Sequence, residues 1–331
     1  MTGQAAHGGL AAMAGNGGGS DSADRVAANV GLLLTMFFWG SMIPVISALF
    51  ATWDAPALSA VRYTIAIPLV LALVFAFDRA ALTPGNLPIW RIWFIGGIGI
   101  AGFNTFYVLG IAFSGPITAA IIGPCSPLVA AFLARAFFSV PLTRGTGLAL
   151  VLAVGGGLIA VVGRPPGGDA DATLLGIAFL LISFACWTWY SLAGQRWLGH
   201  LSQLTLTAFT MTSAMVWLIA IDVVAVSAGW AEMPTAEPSA GAVVLMMWLA
   251  VSGSAIGVFL WNSGVKKLGV VVASMYLNLC PIIAVLVSIA FGARPSAWQL
   301  IGGAVVLAGV VQGQVRRARG KEQTGSGEET A

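Results

Sequence analysis

Charge is what this chain has least of. Of its 331 residues, 8% are Asp, Glu, Lys or Arg, where an ordinary soluble domain carries about 25%. So few charges cannot coat a surface that faces water. With 58% hydrophobic residues and a mean hydropathy of +0.93, the composition is that of an integral membrane protein. Histidine is nearly absent: His7 falls in a tail and His200 in a loop. The three cysteines, Cys125, Cys186 and Cys280, lie inside apolar runs without C-x-x-C spacing, so they read as small buried hydrophobes. A metal site has almost nothing to be built from, and no metal or cofactor is expected. Asp222 is the only acid well inside an apolar segment. That scarcity leaves no nucleophile–base pair, carboxylate pair or ligand cluster for a membrane-embedded enzyme, which is the remoter alternative.

Apolar length is what the chain has in plenty. A helix crosses the hydrocarbon core with about 20 apolar residues. Apolar runs separated by turn-forming or charged breaks, such as "TWDAP", "DRAALTPGN", "RPPGGDADAT" and "AEMPTAEPS", give ten expected spans: 28–50, 57–77, 91–113, 115–138, 145–163, 174–196, 204–228, 242–263, 269–292 and 298–315. Residues 1–24 hold no Lys or Arg and do not read as a signal peptide. The positive charges orient the bundle. With a cytoplasmic N-terminus, twelve of the fifteen Lys and Arg fall inside, Arg164 and Arg294 fall outside, and Arg62 lies within span two. Such a bias sets orientation, so both termini are expected in the cytoplasm and the basic pI needs no nucleic-acid partner.

The second half repeats the first. A gapless shift of 154 carries residues 99–161 onto 253–315, pairing Gly99 with Gly253, Gly110 with Gly264, Gly115 with Gly269, Pro127 with Pro281 and Pro141 with Pro295. In the first two spans a shift of 148 sets Trp39 on Trp187 and Leu58 on Leu206. Five spans per repeat is odd, so the halves enter the membrane in opposite senses, an architecture that recurs in secondary transporters with cargo held at the midplane. The expected fold is therefore all-α, a polytopic membrane protein of ten transmembrane helices in two inverted five-helix repeats. Its parts are a disordered cytoplasmic tail (1–27), a first repeat (28–163), an external linker (164–173), a second repeat (174–315) and a basic then acidic cytoplasmic tail (316–331), with the monomer as the unit.

Three stretches carry a resemblance. "FFWGSMIPVISALF" opening span one, "LSAVRYTIA" in span two and "GARPSAWQLIGGAVVLAGVV" at the end resemble the EamA branch of the drug/metabolite transporter superfamily, over residues 28–315. The resemblance implies a ten-helix carrier from a family made mostly of exporters and carriers of small metabolites, amino acids among them, with the aromatic amino-acid exporters the nearest subgroup. Arg62 matches the Arg of the family's span-two pattern. Relatives typically carry a Glu before the last span, in a "GE-x-x-S" pattern. Here that place is Ala293, and its first-half counterpart is Ser139.

One motif points elsewhere. "GIGIAG", residues 97–102, spells the G-x-G-x-x-G of dinucleotide-binding folds. That fingerprint works after a strand, at a helix start and about 20 residues before an acid. Here it lies inside an apolar span with no acid in 115–128. Small residues let membrane helices approach closely, so the stretch reads as a packing seam, matched by "GSAIG" at Gly253 and Gly257 and by "GVVQG" at Gly309 and Gly313.

Polar and aromatic residues inside spans are the candidate cargo lining. Ser183, Trp187, Tyr190 and Gly194 share one helical face, and the repeat carries that face onto Thr35, Trp39 and Met42. Span three adds Asn104 and Tyr107, with Trp261 opposite Tyr107 in the repeat; span nine adds Tyr276 and Asn278, and Arg62 stands in the outer part of span two. Packing alone would also account for any one of them. Pro44, Pro124, Pro127 and Pro281 are candidate bends or gates, because each frees a nearby carbonyl. The reading is a secondary transporter exporting small metabolites through the cytoplasmic membrane by alternating access, amino acids or other amphipathic aromatic compounds first. Organic-cation efflux on the same fold is the alternative, since an aromatic wall attracts cations.

The topology has a direct check. Reporter fusions should place 50–56 and 164–173 outside and 78–90 with both termini inside; a cytoplasmic signal from 164–173 would break the ten-span scheme and the inverted repeat together.

Overall fold

The computed structural model describes residues 17–79, 87–126, 170–232, 238–269, 276–298 and 300–305, with a few isolated positions between them. Regular structure among these residues is helical throughout. The helices are α1 (Gly17–Leu49), α2 (Ala55–Phe77), α3 (Ile89–Ser114), α4 (Pro116–Ile122), α5 (Ala170–Leu198), α6 (Gln203–Ser227), α7 (Ala240–Leu268) and α8 (Leu279–Ala290). Six of them, α1, α2, α3, α5, α6 and α7, are long and apolar enough to cross a membrane. They correspond to expected spans one, two, three, six, seven and eight. Span five and most of span ten lie outside the described residues, as does the later part of span four.

The ends follow local chemistry. Pro56 sits in the first turn of α2, where its missing N–H is not needed. Ser202 and Ser239 cap α6 and α7 by accepting from Thr205 N at 3.1 Å and Ala242 N at 3.2 Å. Gly115 (φ 79°) and Gly269 (φ 82°) terminate α3 and α7 in the left-handed region that glycine enters freely. Two boundaries differ from the expectation. Helix α1 begins at Gly17, inside the segment read as a tail, and α7 runs on to Leu268. Lys266 and Lys267 thus lie in the last turn of α7, where cations suit the helix dipole, and Lys267 meets Asp24 of α1 at 2.5 Å.

Polarity is turned outward-in, as lipid requires. Phe77, Val223, Val244 and Leu286 are exposed, while Thr35, Thr207 and Thr210 are buried. The buried hydroxyls return their hydrogen bonds to the preceding helical turn: Thr35 Oγ1 donates to Gly31 O at 2.8 Å and Thr207 Oγ1 to Gln203 O at 2.7 Å.

Helix α3 packs on α5, and α1 packs on α7; α2 lies against α6, and α4 against α8. The glycines of the fingerprint stretch are part of these contacts. A Cβ at Gly99 would sit 2.7 Å from Tyr190 Cβ, and one at Gly97 2.6 Å from Trp217 Nε1. Gly110 and Gly176 oppose one another on α3 and α5, and Gly257 and Gly264 meet Trp39 and Leu32 of α1. Both α3 and α7 widen into a π-helical segment, Ile95–Ala101 and Leu249–Ile256. The shift of 154 that aligns the sequence carries one segment onto the other, and Gly115 onto Gly269.

At one end of the bundle, Asp78 ties α2 to α6. Its carboxylate accepts from Ser202 Oγ and from Thr205 Oγ1, the latter at 2.6 Å. These hydrogen bonds, Ser202's first, hold the Asp78 carboxyl below its ordinary value.

Two outcomes are expected. Gly99→Leu or Gly110→Leu should cost about 1–3 kcal/mol through overpacking, seen as lost monodisperse yield and a lower Tm, while Val244→Leu on the exposed surface should change neither. Asp78 is depressed on folding, so its contribution is present above the ordinary carboxylate pKa of about 4 and is lost as pH falls through the folded value. Thermal melts should show Asp78→Asn less stable than the parent at pH 7, the gap closing on acidification below about pH 4.

Candidate substrate site

The helices meet around one buried cavity of about 100 Å³. Helix α1 brings Trp39, Met42 and Ile43; α2 brings Arg62 and Tyr63. Helix α3, just past its π-helical segment, brings Phe103, Asn104 and Tyr107, and α5 brings Phe184 and Trp187. The π-helical segment of α7 supplies Gly253 and Ser254, followed by Val258. The remaining wall comes from two interruptions. A 3-10 turn at Gly123–Cys125 ends α4, and a turn at 277–278 precedes α8, whose Cys280 and Pro281 reach the cavity.

One wall is polar. Arg62 is 1% exposed, and it is the only charged residue among those lining the cavity. Its Nη2 donates to Asn104 Oδ1. Asn104 Nδ2 in turn donates to Tyr63 Oη at 2.7 Å and to Ile100 O at 2.8 Å. Among the described residues, Arg62 Nε and Nη1, Ser254 Oγ and Trp187 Nε1 have no hydrogen-bond partner. A buried polar atom without a partner costs free energy, and an arginine at membrane depth costs more.

The other wall is aromatic. Trp39 and Trp187 meet edge to face with ring centroids 5.2 Å apart. Phe103 lies 5.1 Å from Trp187 and stacks on Tyr107 at 5.0 Å. Trp39 is fixed by an Nε1 hydrogen bond of 3.0 Å to Gly253 O, across the α1–α7 contact. Behind this wall a second polar cluster is closed on itself: Asn262 Nδ2 donates to Tyr190 Oη at 2.9 Å and to Thr207 Oγ1 at 2.8 Å.

Five residues singled out from the sequence therefore converge on the cavity: Trp39, Arg62, Asn104, Tyr107 and Trp187, with Pro281 beside them. Tyr190 and Trp261 are not lining residues. They back Trp187, at 5.0 and 6.0 Å between centroids. Tyr276 is drawn to the end of the bundle, where its hydroxyl donates to Asn29 Oδ1 at 2.5 Å, and Asn278 precedes α8 without reaching the lining. Pro44 lies within α1 and Pro124 in the 3-10 turn, while Pro127 falls outside the described residues. Met42, on the face that the repeat carries over from span six, joins the lining, whereas Ile43, Tyr63, Phe103, Phe184, Ser254 and Cys280 were not singled out from the sequence. Tyr63 and Phe103 adjoin residues already chosen, and Ser254 adjoins a seam glycine; the others look like any apolar residue.

A larger groove of about 770 Å³ runs between α3, α6 and the α1–α2 turn. It is walled by exposed Phe113, Val224 and Trp230, the last 82% exposed, so it is a surface groove on the apolar flank. The small cavity, where Arg62 Nε and Nη1, Trp187 Nε1 and Ser254 Oγ gather without partners among the described residues, is the candidate site.

Comparison with known proteins agrees with this architecture. The EamA-like transporter family matches twice, over residues 27–162 and 174–312. The chain is 27% identical over 227 residues to the uncharacterized transporter YyaM of Bacillus subtilis, covering 66% of this chain and 70% of that protein. It is 25% identical over 281 residues to a probable terminal-alkyne amino-acid exporter of Streptantibioticus cattleyicolor, covering 85% and 91%. A protein crystal structure with 18% identity superposes with a TM-score of 0.63 over 89% of this chain and 99% of the other, which shows a common fold. Both halves of the chain match one family model, so this protein belongs to the EamA-like transporter family and is a multi-pass membrane transporter, not an enzyme.

Proposed function

We propose that the protein is a secondary transporter that exports small amphipathic metabolites, amino acids with aromatic or other bulky side chains first, across the cytoplasmic membrane. The cavity carries this reading: an aromatic wall and a short polar wall, buried where helices from both matched segments meet. Pockets for small organic molecules have this make-up, mostly apolar with a few placed polar groups. The relative named as an amino-acid exporter supports the cargo class.

Alternating access by two inverted five-helix repeats, within a ten-span monomer with cytoplasmic termini, is the proposed mechanism. Its support is the local likeness of α3 and α7, each a π-helical segment, a three-turn α-helical stretch and a left-handed glycine at one constant shift. The contacts support it too, since α1 on α7 mirrors α5 on α3. At about 100 Å³ the cavity is smaller than the roughly 300–1,000 Å³ of a filled ligand pocket. Loading therefore requires movement. The interruptions at Gly123–Cys125 and before Pro281 are the proposed places for it, because broken helices beside a site can swing without disrupting a continuous ladder.

Purified protein in liposomes tests the function, with a panel of labelled amino acids assayed for uptake and counterflow. Trp39→Ala and Trp187→Ala should each lower flux about threefold to tenfold, the worth of one aromatic contact, with most thermal stability kept. Val244→Ala should transport normally. Flux no greater than in empty liposomes for the whole panel would contradict the cargo class, and flux lost only in proportion to folded protein would make these residues packing alone.

A further inference from the structure

The unpartnered polar atoms of the cavity share one property. Arg62 Nε, Arg62 Nη1 and Trp187 Nε1 can only donate hydrogen bonds, and Ser254 Oγ can donate as well. Asn104 is already committed, its carbonyl to Arg62 and its amide to Tyr63 and Ile100. The cavity thus offers several donors, one fixed positive charge and no acid among its lining residues. A guanidinium keeps its proton in proteins, so the charge cannot be removed by titration.

We propose that Arg62, helped by Ser254, binds a carboxylate of the cargo, and that the cargo's ammonium group is dispensable. This rests on the transport reading above and narrows it, making the substrate class aromatic or bulky carboxylates, with or without an amino group. The single cation balances a single carboxylate charge; a phosphate near neutral pH carries more charge than this cavity can match. An organic cation would have to enter beside an uncompensated guanidinium, a repulsion that the weak attraction of the Trp39 and Trp187 π faces does not offset. The arrangement also explains why, among the described residues, Arg62 is anchored through one nitrogen. Asn104 holds the side chain in place without neutralising it, which leaves Nε and Nη1 for a ligand.

Three probes that differ at one group test this: 3-phenylpropionate, phenylalanine and phenethylamine, titrated against purified protein by intrinsic tryptophan fluorescence. Both carboxylates should bind saturably and phenethylamine at least tenfold more weakly. Arg62→Gln should weaken the acids about tenfold to a hundredfold, the range for hydrogen bonds to a charged group, and nearly abolish their advantage over the amine. Arg62→Lys should fall between. Ser254→Ala guards against misfolding, because it removes a hydroxyl that has no partner among the described residues; it should keep the parent Tm and weaken the acids severalfold. The inference is overturned if the amine binds as well as the acids, if no probe binds, if phenylphosphonate is preferred to phenylpropionate, or if well-folded Arg62 and Ser254 variants keep the parent's acid affinity. Acid-selective binding without flux in liposomes would uphold the anion site while removing the transport reading for this cargo. Flux of the amine equal to that of the acids would do the reverse.

Discussion

Arg62 has to be held inside a helical bundle, and among the described residues it has one acceptor, Asn104 Oδ1. The rest of the central architecture depends on that economy. Asn104 is oriented by Ile100 O one turn back and by Tyr63 Oη on the neighbouring helix, so the α2–α3 contact and the position of the guanidinium are one constraint. Were an Asp or Glu in place of Asn104, the pair would neutralise itself and the cavity would be electrically silent. With an amide there, a net positive charge persists on a side chain buried among helices, where electrostatic interactions are stronger than in bulk water.

Close helix approach makes the cavity possible. Lipid tails give helices no hydrophobic reason to associate, so contact area must come from fit. The glycines at 99, 110 and 176 let α3 meet α5 almost backbone to backbone, and those at 257 and 264 admit the Trp39 and Leu32 side chains of α1 directly against α7. Large side chains then fill the space beside the seams: Trp39 over Gly257, Tyr190 over Gly99. The π-helical segments add one residue to a turn, and such bulges are frequent at functional sites. In α7 the segment delivers Ser254 to the cavity, and in α3 it ends just before Phe103 and Asn104.

Much of this was legible in the sequence, for physical reasons. Apolar length alone located the six long helices, and two of the positive-φ glycines, Gly115 and Gly269, are a pair that the shift of 154 already matches. The faces holding Trp39 and Trp187 followed from helical spacing together with the repeat. Two kinds of detail were hidden. A π-helical segment changes the number of residues per turn, so a face cannot be carried through residues 95–101 or 249–256 by counting threes and fours. Lining by Ile43 or Phe184 depends on which neighbour is close, and the same residues would serve equally well against lipid. Tyr276 shows the opposite error: polar, aromatic and near Pro281, it is nevertheless claimed by Asn29 at the end of the bundle.

The central claim is that cargo sits between the aromatic wall and the Arg62 guanidinium. The most direct measurement is an experimental structure with 3-(4-bromophenyl)propionate, located by the anomalous scattering of its bromine. The account predicts bromine against Trp187 and Phe103, with carboxylate density within hydrogen-bonding distance of Arg62. Bromine in the surface groove beside Trp230, or a central molecule whose carboxylate points away from Arg62, would contradict it.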